Sequence, residues 1–244
     1  MSDLKQNESQ WNSIYIFGGL AAILSLIAVV VDIVIGSSTG SNLSELPQTA
    51  VDRYMQFQQN IWLGLYNLDL LNTVNQLISI PVYFALYAAH RETNKPHALF
   101  GLIIFLLGTT IFIANNTALP MMELSRKYAI ADESQKAMFV AAGEAMLARG
   151  EHGSLGAFFS FLLPTLAALI MSLVMLQGNI FSKMNSYIGI LGNILMSIYI
   201  VLVTFVPAVK GMAMAFAMPG GLLLVVWIIM LTSRLFRLGA SNVS

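Results

Sequence analysis

The sequence predicts an all-α protein: a polytopic transmembrane helix bundle of about six spanning helices with a short surface helix on the extracytoplasmic side. Hydrophobic residues make up 57% of the 244 positions and charged residues only 10%, which leaves too little polar surface to cover a soluble globule. The mean hydropathy is +0.74. Apolar runs of about 20 residues, the length that crosses a bilayer, recur along the chain between short polar segments.

The six apolar runs predict one transmembrane domain over residues 1–244, with spans at 15–35, 61–89, 98–118, 155–176, 187–206 and 212–231. The first run is too long for the core of a signal peptide, about 7–15 residues, so we interpret it as a retained span. The second run is longer and more polar, and Pro81 is expected to kink it. Pro219, Gly220 and Gly221 predict a break in the last span, or a helix that begins only after them.

Two longer connections, 36–60 and 119–154, are predicted to lie outside the membrane. In the second, Asp132 precedes Gln135 by three residues, as in a helix capping box, and Phe139 and Met146 follow at helical spacing. This pattern predicts a short surface helix. The first connection is rich in Gly, Ser and Pro before Tyr54, and we expect it to end in an interfacial turn.

Orientation follows from the basic residues that flank the spans, because positive side chains resist translocation. If the amino terminus is inside, six of them fall on the inner side: Lys5, Arg91, Lys95, Lys183, Arg234 and Arg237. The outer side holds as many, namely Arg53, Lys210 and four in the third loop. The inner bases lie tightly against span ends, whereas most of those in the third loop do not. We therefore predict a protein of the cell membrane with both termini cytoplasmic.

Composition also excludes some classes of function. The 12 basic residues balance the 12 acidic ones, so no positive field is available to bind nucleic acid. The chain has no cysteine, which removes thiolate metal sites and a cysteine nucleophile. The three histidines, His90, His97 and His152, lie outside the spans, where they cannot hold a haem between helices. We predict no metal site and no cofactor.

Two carboxylates lie inside predicted spans. Asp32 is late in the first span and Asp69 early in the second, and because the two helices run in opposite directions both fall in the outer half. A charged residue at the centre of a spanning helix costs about 2.5–3.5 kcal/mol on insertion scales, so each requires a physical reason.

Amides accompany the two acids. Asn72 and Gln76 share one face of the second helix with Asp69, within an arc of about 100°. The third span climbs outward to Asn115 and Asn116. The sequence therefore predicts one polar cluster in the outer half of the first three helices: Asp32, Asp69, Asn72, Gln76, Asn115 and Asn116.

This cluster has two interpretations, which are compatible. Amides and carboxylates can hold helices together through hydrogen bonds. Alternatively, they can line a cavity that binds a small polar ligand, a cation or a proton. We favour a non-enzymatic binder, sensor or transporter in the lipid bilayer. The alternatives are an intramembrane enzyme that modifies lipids, with Asp32 and Asp69 as acid and base, and a scaffold whose cluster is only structural. The oligomeric state is not indicated.

Three stretches, 63–94, 115–148 and 178–192, together with Asp32, resemble a bacterial and archaeal family of six-span proteins known as domain of unknown function number four-three-eight-six. The most specific parts are Asn-Leu-Asp-Leu-Leu-Asn at 67–72 and Leu-Ser-x-x-Tyr ending at Tyr128. The resemblance implies six helices and a prokaryotic source. It implies no activity.

Overall fold

A computed structural model of the chain describes residues 2–38 and 47–240, which are almost entirely α-helical and contain no strand within those ranges. The helices are α1 Ser2–Ser38, α2 Ala50–Gln59, α3 Ile61–Asn67, α4 Leu70–His90, α5 Lys95–Asn115, α6 Ala118–Ile130, α7 Glu133–Gly150, α8 Phe158–Gly178, α9 Lys183–Phe205 and α10 Lys210–Ala240. A single 3-10 turn, Pro207–Val209, joins the last two.

Five helical stretches of the described chain are long and apolar enough to cross a membrane: Trp11–Gly36, Lys95–Ile130, Phe158–Gly178, Lys183–Phe205 and Gly211–Ala240. The all-α membrane bundle predicted from hydropathy is therefore confirmed. The helix α4 is not among these five, and it carries Asn72, Asn75 and Gln76. A sixth span at α4 stays a prediction.

The long helices form a closed ring. In order, α1 packs on α4, α4 on α5, α5 on α8, α8 on α9, α9 on α10, and α10 returns to α1. Small residues allow the close approaches: Gly18 of α1 lies against Ala85 of α4, and Gly108 of α5 lies against Pro164 of α8. Such contacts are the usual means of helix association in lipid, where apolar surface alone gives no preference for protein.

The ring has two different ends. At one, which we call the terminal end, Gly239 near the end of α10 lies against Ile16 of α1, and the Arg91 guanidinium stacks 4.2 Å from the ring centre of Trp11. At the other, which we call the capped end, α2, α3, α6 and α7 pack over one another. Their shared apolar core includes Tyr54 and Met121.

The predicted second span, 61–89, is divided into α3 and α4. Between them Asp69 adopts a left-handed backbone conformation, with φ 60° and ψ 26°. Aspartate tolerates this conformation better than most residues because its short polar side chain can bond locally. The remaining helix α4 has 21 residues, about 31 Å at 1.5 Å per residue, which is still enough to cross the hydrocarbon core.

The helix predicted in the third loop is present as α7, and its position at the membrane surface stays a prediction. The Asp132 carboxylate caps it by accepting a hydrogen bond from the Gln135 backbone N–H at 2.9 Å. Hydrogen bonds from the Ser134 hydroxyl and from Gln135 hold the pKa of Asp132 below its usual range. The first connection, 36–60, ends in the helix α2 rather than in an interfacial turn, and residues 39–46 of it lie outside the described part.

The predicted break in the last span needs correction. The helix α10 begins at Lys210 and continues through Pro219 to Ala240. A proline removes one backbone hydrogen bond, but local adjustment and neighbouring helices make this tolerable inside a membrane bundle.

Candidate functional site

The six residues of the predicted cluster are half-buried, and they lie in two places. Five are near the capped end, whereas Gln76 lies deeper, on the wall of a cavity at the centre of the ring. The five are Asp32, Asp69, Asn72, Asn115 and Asn116.

Asp69 has the most unusual environment of these residues. One carboxylate oxygen, Oδ1, accepts a hydrogen bond from the Asn72 amide at 2.9 Å. The other, Oδ2, is buried and has no hydrogen-bond partner among the described residues. The Asp69 main-chain oxygen accepts the Thr73 hydroxyl at 2.9 Å, which holds the start of α4. The carboxylate is therefore positioned firmly while retaining an unused acceptor.

His152 lies opposite that unused oxygen. Its Nδ1 is 3.7 Å from Asp69 Oδ2, and its Nε2 is 2.8 Å from the Tyr199 hydroxyl of α9. The imidazole also packs edge-on against the Phe161 ring, with the centroids 4.4 Å apart. Asp69, His152 and Tyr199 thus form a chain of polar groups, which we call the outer triad.

The Asn116 amide bonds to backbone, whereas the Asn115 amide bonds to backbone and to side chains. Asn116 donates to the Leu68 main-chain oxygen at 2.8 Å and so fixes the break between α3 and α4. Asn115 donates to the Gly156 oxygen at 3.0 Å and accepts from Arg149 Nε at 3.3 Å. These contacts anchor loops to helix ends, as expected for structural hydrogen bonds.

Asp32 interacts with the outer triad electrostatically and not through a hydrogen bond to the same amide side chain as Asp69. The Tyr66 hydroxyl donates to its main-chain oxygen at 2.9 Å and is within reach of its carboxylate as well. Asp32 is close enough to Asp69 and His152 to interact electrostatically with both. Two acids therefore surround one imidazole, although only Asp69 faces it directly.

The space beside the outer triad is small. A cavity of about 10 Å³ is lined by Asp69, Asn115, Asn116, Ser160 and other residues. A volume of roughly this size holds one water molecule. Within residues 2–38 and 47–240, no three His, Asp, Glu or Cys side chains converge as metal ligands would.

A buried ion pair lies above the outer triad, in the helices of the capped end. Arg53 is only 1% exposed, and its Nη2 is 2.7 Å from a carboxylate oxygen of Glu151, the residue before His152. The neighbouring Tyr54 hydroxyl donates to the Phe139 oxygen at 2.7 Å. Burial, with Glu144 and Tyr128 adding smaller effects, raises the pKa of Tyr54 to about 12.

Comparison with known proteins identifies the family. The chain matches the family described as Domain of unknown function (DUF4386) over residues 13–234. It belongs to this family. No curated protein and no solved structure matches it. The DUF4386 match includes all six residues of the predicted cluster, and it also includes His152 and Tyr199, so the outer triad lies within the family domain.

Sequence reasoning missed two members of the outer triad in this DUF4386 protein. Tyr199 is an ordinary aromatic residue in an apolar span, and its sequence gives no sign of a polar partner. His152 is the only one of the three histidines on the same side as the predicted cluster, and that position was the signal that could have identified it.

Proposed function

We propose that the protein is a non-enzymatic membrane binder, sensor or transporter that takes up a proton at Asp69 and His152. The contact between the unpartnered Asp69 Oδ2 and His152 Nδ1, 3.7 Å apart, carries this proposal. Histidine is the side chain that ordinarily gains or loses a proton between about pH 5 and 8. A protonated imidazole presents an N–H and a positive charge to the acid.

The groups around the imidazole include a second acid. Asp32 is a second acid nearby, and the Tyr199 hydroxyl faces the other nitrogen of the ring. The nearby cations are already held: Arg53 by Glu151, and Arg149 by the Asn115 side chain and the Ala114 oxygen. Under this proposal, uptake of a proton by His152 places a positive charge beside Asp69 and Asp32, which have no Lys or Arg partner among the described residues.

The size of the site favours a proton over a substrate. A cavity of about 10 Å³ beside Asp69 accommodates a water molecule, whereas a lipid headgroup requires much more room. This argues against the alternative in which Asp32 and Asp69 act as acid and base on a lipid.

Thermal unfolding between pH 5 and 8 tests the proton site, with the protein in nanodiscs. An Asp69–His152 ion pair exists only while the imidazole is protonated, so under this proposal the unfolding midpoint should change with pH across this range. His152→Gln and Asp69→Asn should each flatten this dependence. Asn at position 69 also tolerates the left-handed backbone. His97→Gln is the matched control, because His97 is exposed at the terminal end.

The proposal fails if Asp69→Asn and His152→Gln retain the pH dependence of the wild-type protein. The cluster would then be structural. A smaller flattening in Asp32→Asn than in Asp69→Asn is expected, since Asp32 acts only at longer range.

We also propose that the terminal end faces the cytoplasm. At the terminal end, Arg91 donates a hydrogen bond to the Tyr15 hydroxyl and stacks on Trp11. Arg234 donates to the Ile180 main-chain oxygen at 2.7 Å. Basic residues fixed so close to the spans are typical of the cytoplasmic side. Reporter fusions after Asn94 and after Gln135 should report inside and outside, and the same side for both would refute this orientation.

A further inference from the structure

A second cavity lies inside the ring, near the middle of the spanning helices. Its volume is about 250 Å³, and all six long helices contribute to its wall. For comparison, an apolar cavity of roughly 150 Å³ is large enough to bind benzene. The polar side chains on the wall include Ser25, Asn75, Gln76, Ser79, Tyr83, Thr165 and Asn193.

The wall of this central cavity is uncharged. None of the described residues that line it is Asp, Glu, Lys, Arg or His. An ion placed there would lose its hydration without gaining a counter-charge, which is strongly unfavourable. The cavity is therefore suited to a neutral molecule.

The amides on the wall have unused hydrogen-bonding capacity. Asn193 is 1% exposed and donates to the Gly189 oxygen at 2.7 Å, but its own carbonyl oxygen has no donor in the described structure. Asn75 accepts the Ser25 hydroxyl at 2.7 Å, and Gln76 accepts only a long contact of 3.5 Å from Thr109. Neither amide NH₂ group has a described protein partner. These amide groups are therefore available to hydrogen-bond a molecule in the cavity.

The rest of the wall is apolar and aromatic, with Phe105, Leu224 and Trp227 among its members. The indole N–H of Trp227 lies against Gly189 between α9 and α10, where it is buried and has no hydrogen-bond partner among the described residues. A mostly apolar wall with a few polar groups in fixed positions is typical of sites for small molecules.

We infer that the central cavity binds a small uncharged amphipathic molecule. Its compact apolar body would pack against the aromatic wall, and a carbonyl or amide group would hydrogen-bond the side chains of Asn75, Gln76 and Asn193. This inference goes beyond the proton site and does not depend on it.

Camphor is a suitable probe, because it has a compact apolar body with one ketone oxygen, and bornane is the same hydrocarbon without that oxygen. The measurement is the thermal unfolding midpoint of the protein in nanodiscs against the concentration of each compound. Camphor should give a saturable increase. Gln76→Met keeps the size of the side chain and removes the amide, so it should bind camphor about fivefold more weakly and bornane as the wild type does.

Two further variants complete the test. Ala168→Phe fills the cavity and should abolish the response to both compounds. Gln177→Met is the matched control for Gln76→Met, because Gln177 bonds Asn94 at the terminal end, away from the cavity. The unchanged response of Gln76→Met to bornane shows that its fold and cavity are intact.

The inference is overturned if camphor gives no saturable response in the wild-type protein. It is also overturned if Ala168→Phe responds as the wild type does, since the compound would then act through the bilayer. Equal camphor affinity in Gln76→Met and the wild type would show that no amide recognises the ligand.

Discussion

The outer triad and the central cavity differ in a complementary way. The outer triad has charged groups and almost no free space, about 10 Å³ beside Asp69. The central cavity has about 250 Å³ of space and an uncharged wall. Of the residues predicted as one cluster, Asp69 belongs to the first region and Gln76 to the second.

This difference follows from the cost of charge in a membrane. Near the capped end, loops and surface helices supply partners for ionised groups, as Glu151 does for Arg53. In the middle of the bilayer such partners are scarce, and amides and hydroxyls are the polar groups that can be buried at moderate cost. The two proposals, proton uptake and ligand binding, therefore concern separate places in one bundle.

The largest expected effect tests the dependence of the capped end on paired charge. Glu151→Ala leaves Arg53 buried without an acid, so the free energy of unfolding in detergent should fall by about 3–5 kcal/mol. Glu123→Ala is the control, because Glu123 and Lys127 form an exposed pair 3.5 Å apart. That loss should stay within about 1 kcal/mol. Equal losses of unfolding free energy in the two variants would show that the buried pair stabilises the protein no more than the surface pair does.

A second pair of variants tests the difference in free space. A Cβ on Gly150 would collide with the main-chain oxygen of Asn115, so Gly150→Ala should cost about 1–3 kcal/mol of unfolding free energy. Gly221 lines the central cavity, and a Cβ there meets no atom within 4 Å. Gly221→Ala should leave stability unchanged or raise it by up to about 1 kcal/mol. A larger loss of stability in Gly221→Ala than in Gly150→Ala would contradict the difference in free space between the two regions.

The smallest effect concerns Tyr54 and appears only at alkaline pH. Its folded-state pKa of about 12 lies above the ordinary value of 10.0, so the stability it contributes is present below pH 10 and is lost as the pH rises toward 12. Tyr54→Phe should flatten this fall in a series of denaturant titrations. Tyr187→Phe, which changes an exposed tyrosine, should keep the wild-type profile.

The features that the sequence predicts well are local ones. The apolar runs determine the long helices, and the spacing of Asp132 and Gln135 determines the start of α7. The break at Asp69 depends instead on a bond from Asn116 to the Leu68 oxygen, 48 positions away along the chain. Hydropathy cannot reveal such a long-range contact.

The composition of the site was harder to predict for two physical reasons. Gln76 shares a helix face with Asp69, but seven residues of helix separate them by about 10 Å along the axis, so a common face does not mean a common site. His152 lies in a connection between α7 and α8, and its approach to Asp69 depends on how that connection folds.

The left-handed backbone at Asp69 restricts which residues position 69 can accept. Glycine and asparagine suit that backbone but carry no charge, whereas glutamate carries the charge but does not suit the backbone. Aspartate satisfies both requirements. If the proposed proton site exists, a relative without it should have Gly or Asn at the matching position, so the residue there would mark which relatives share the site.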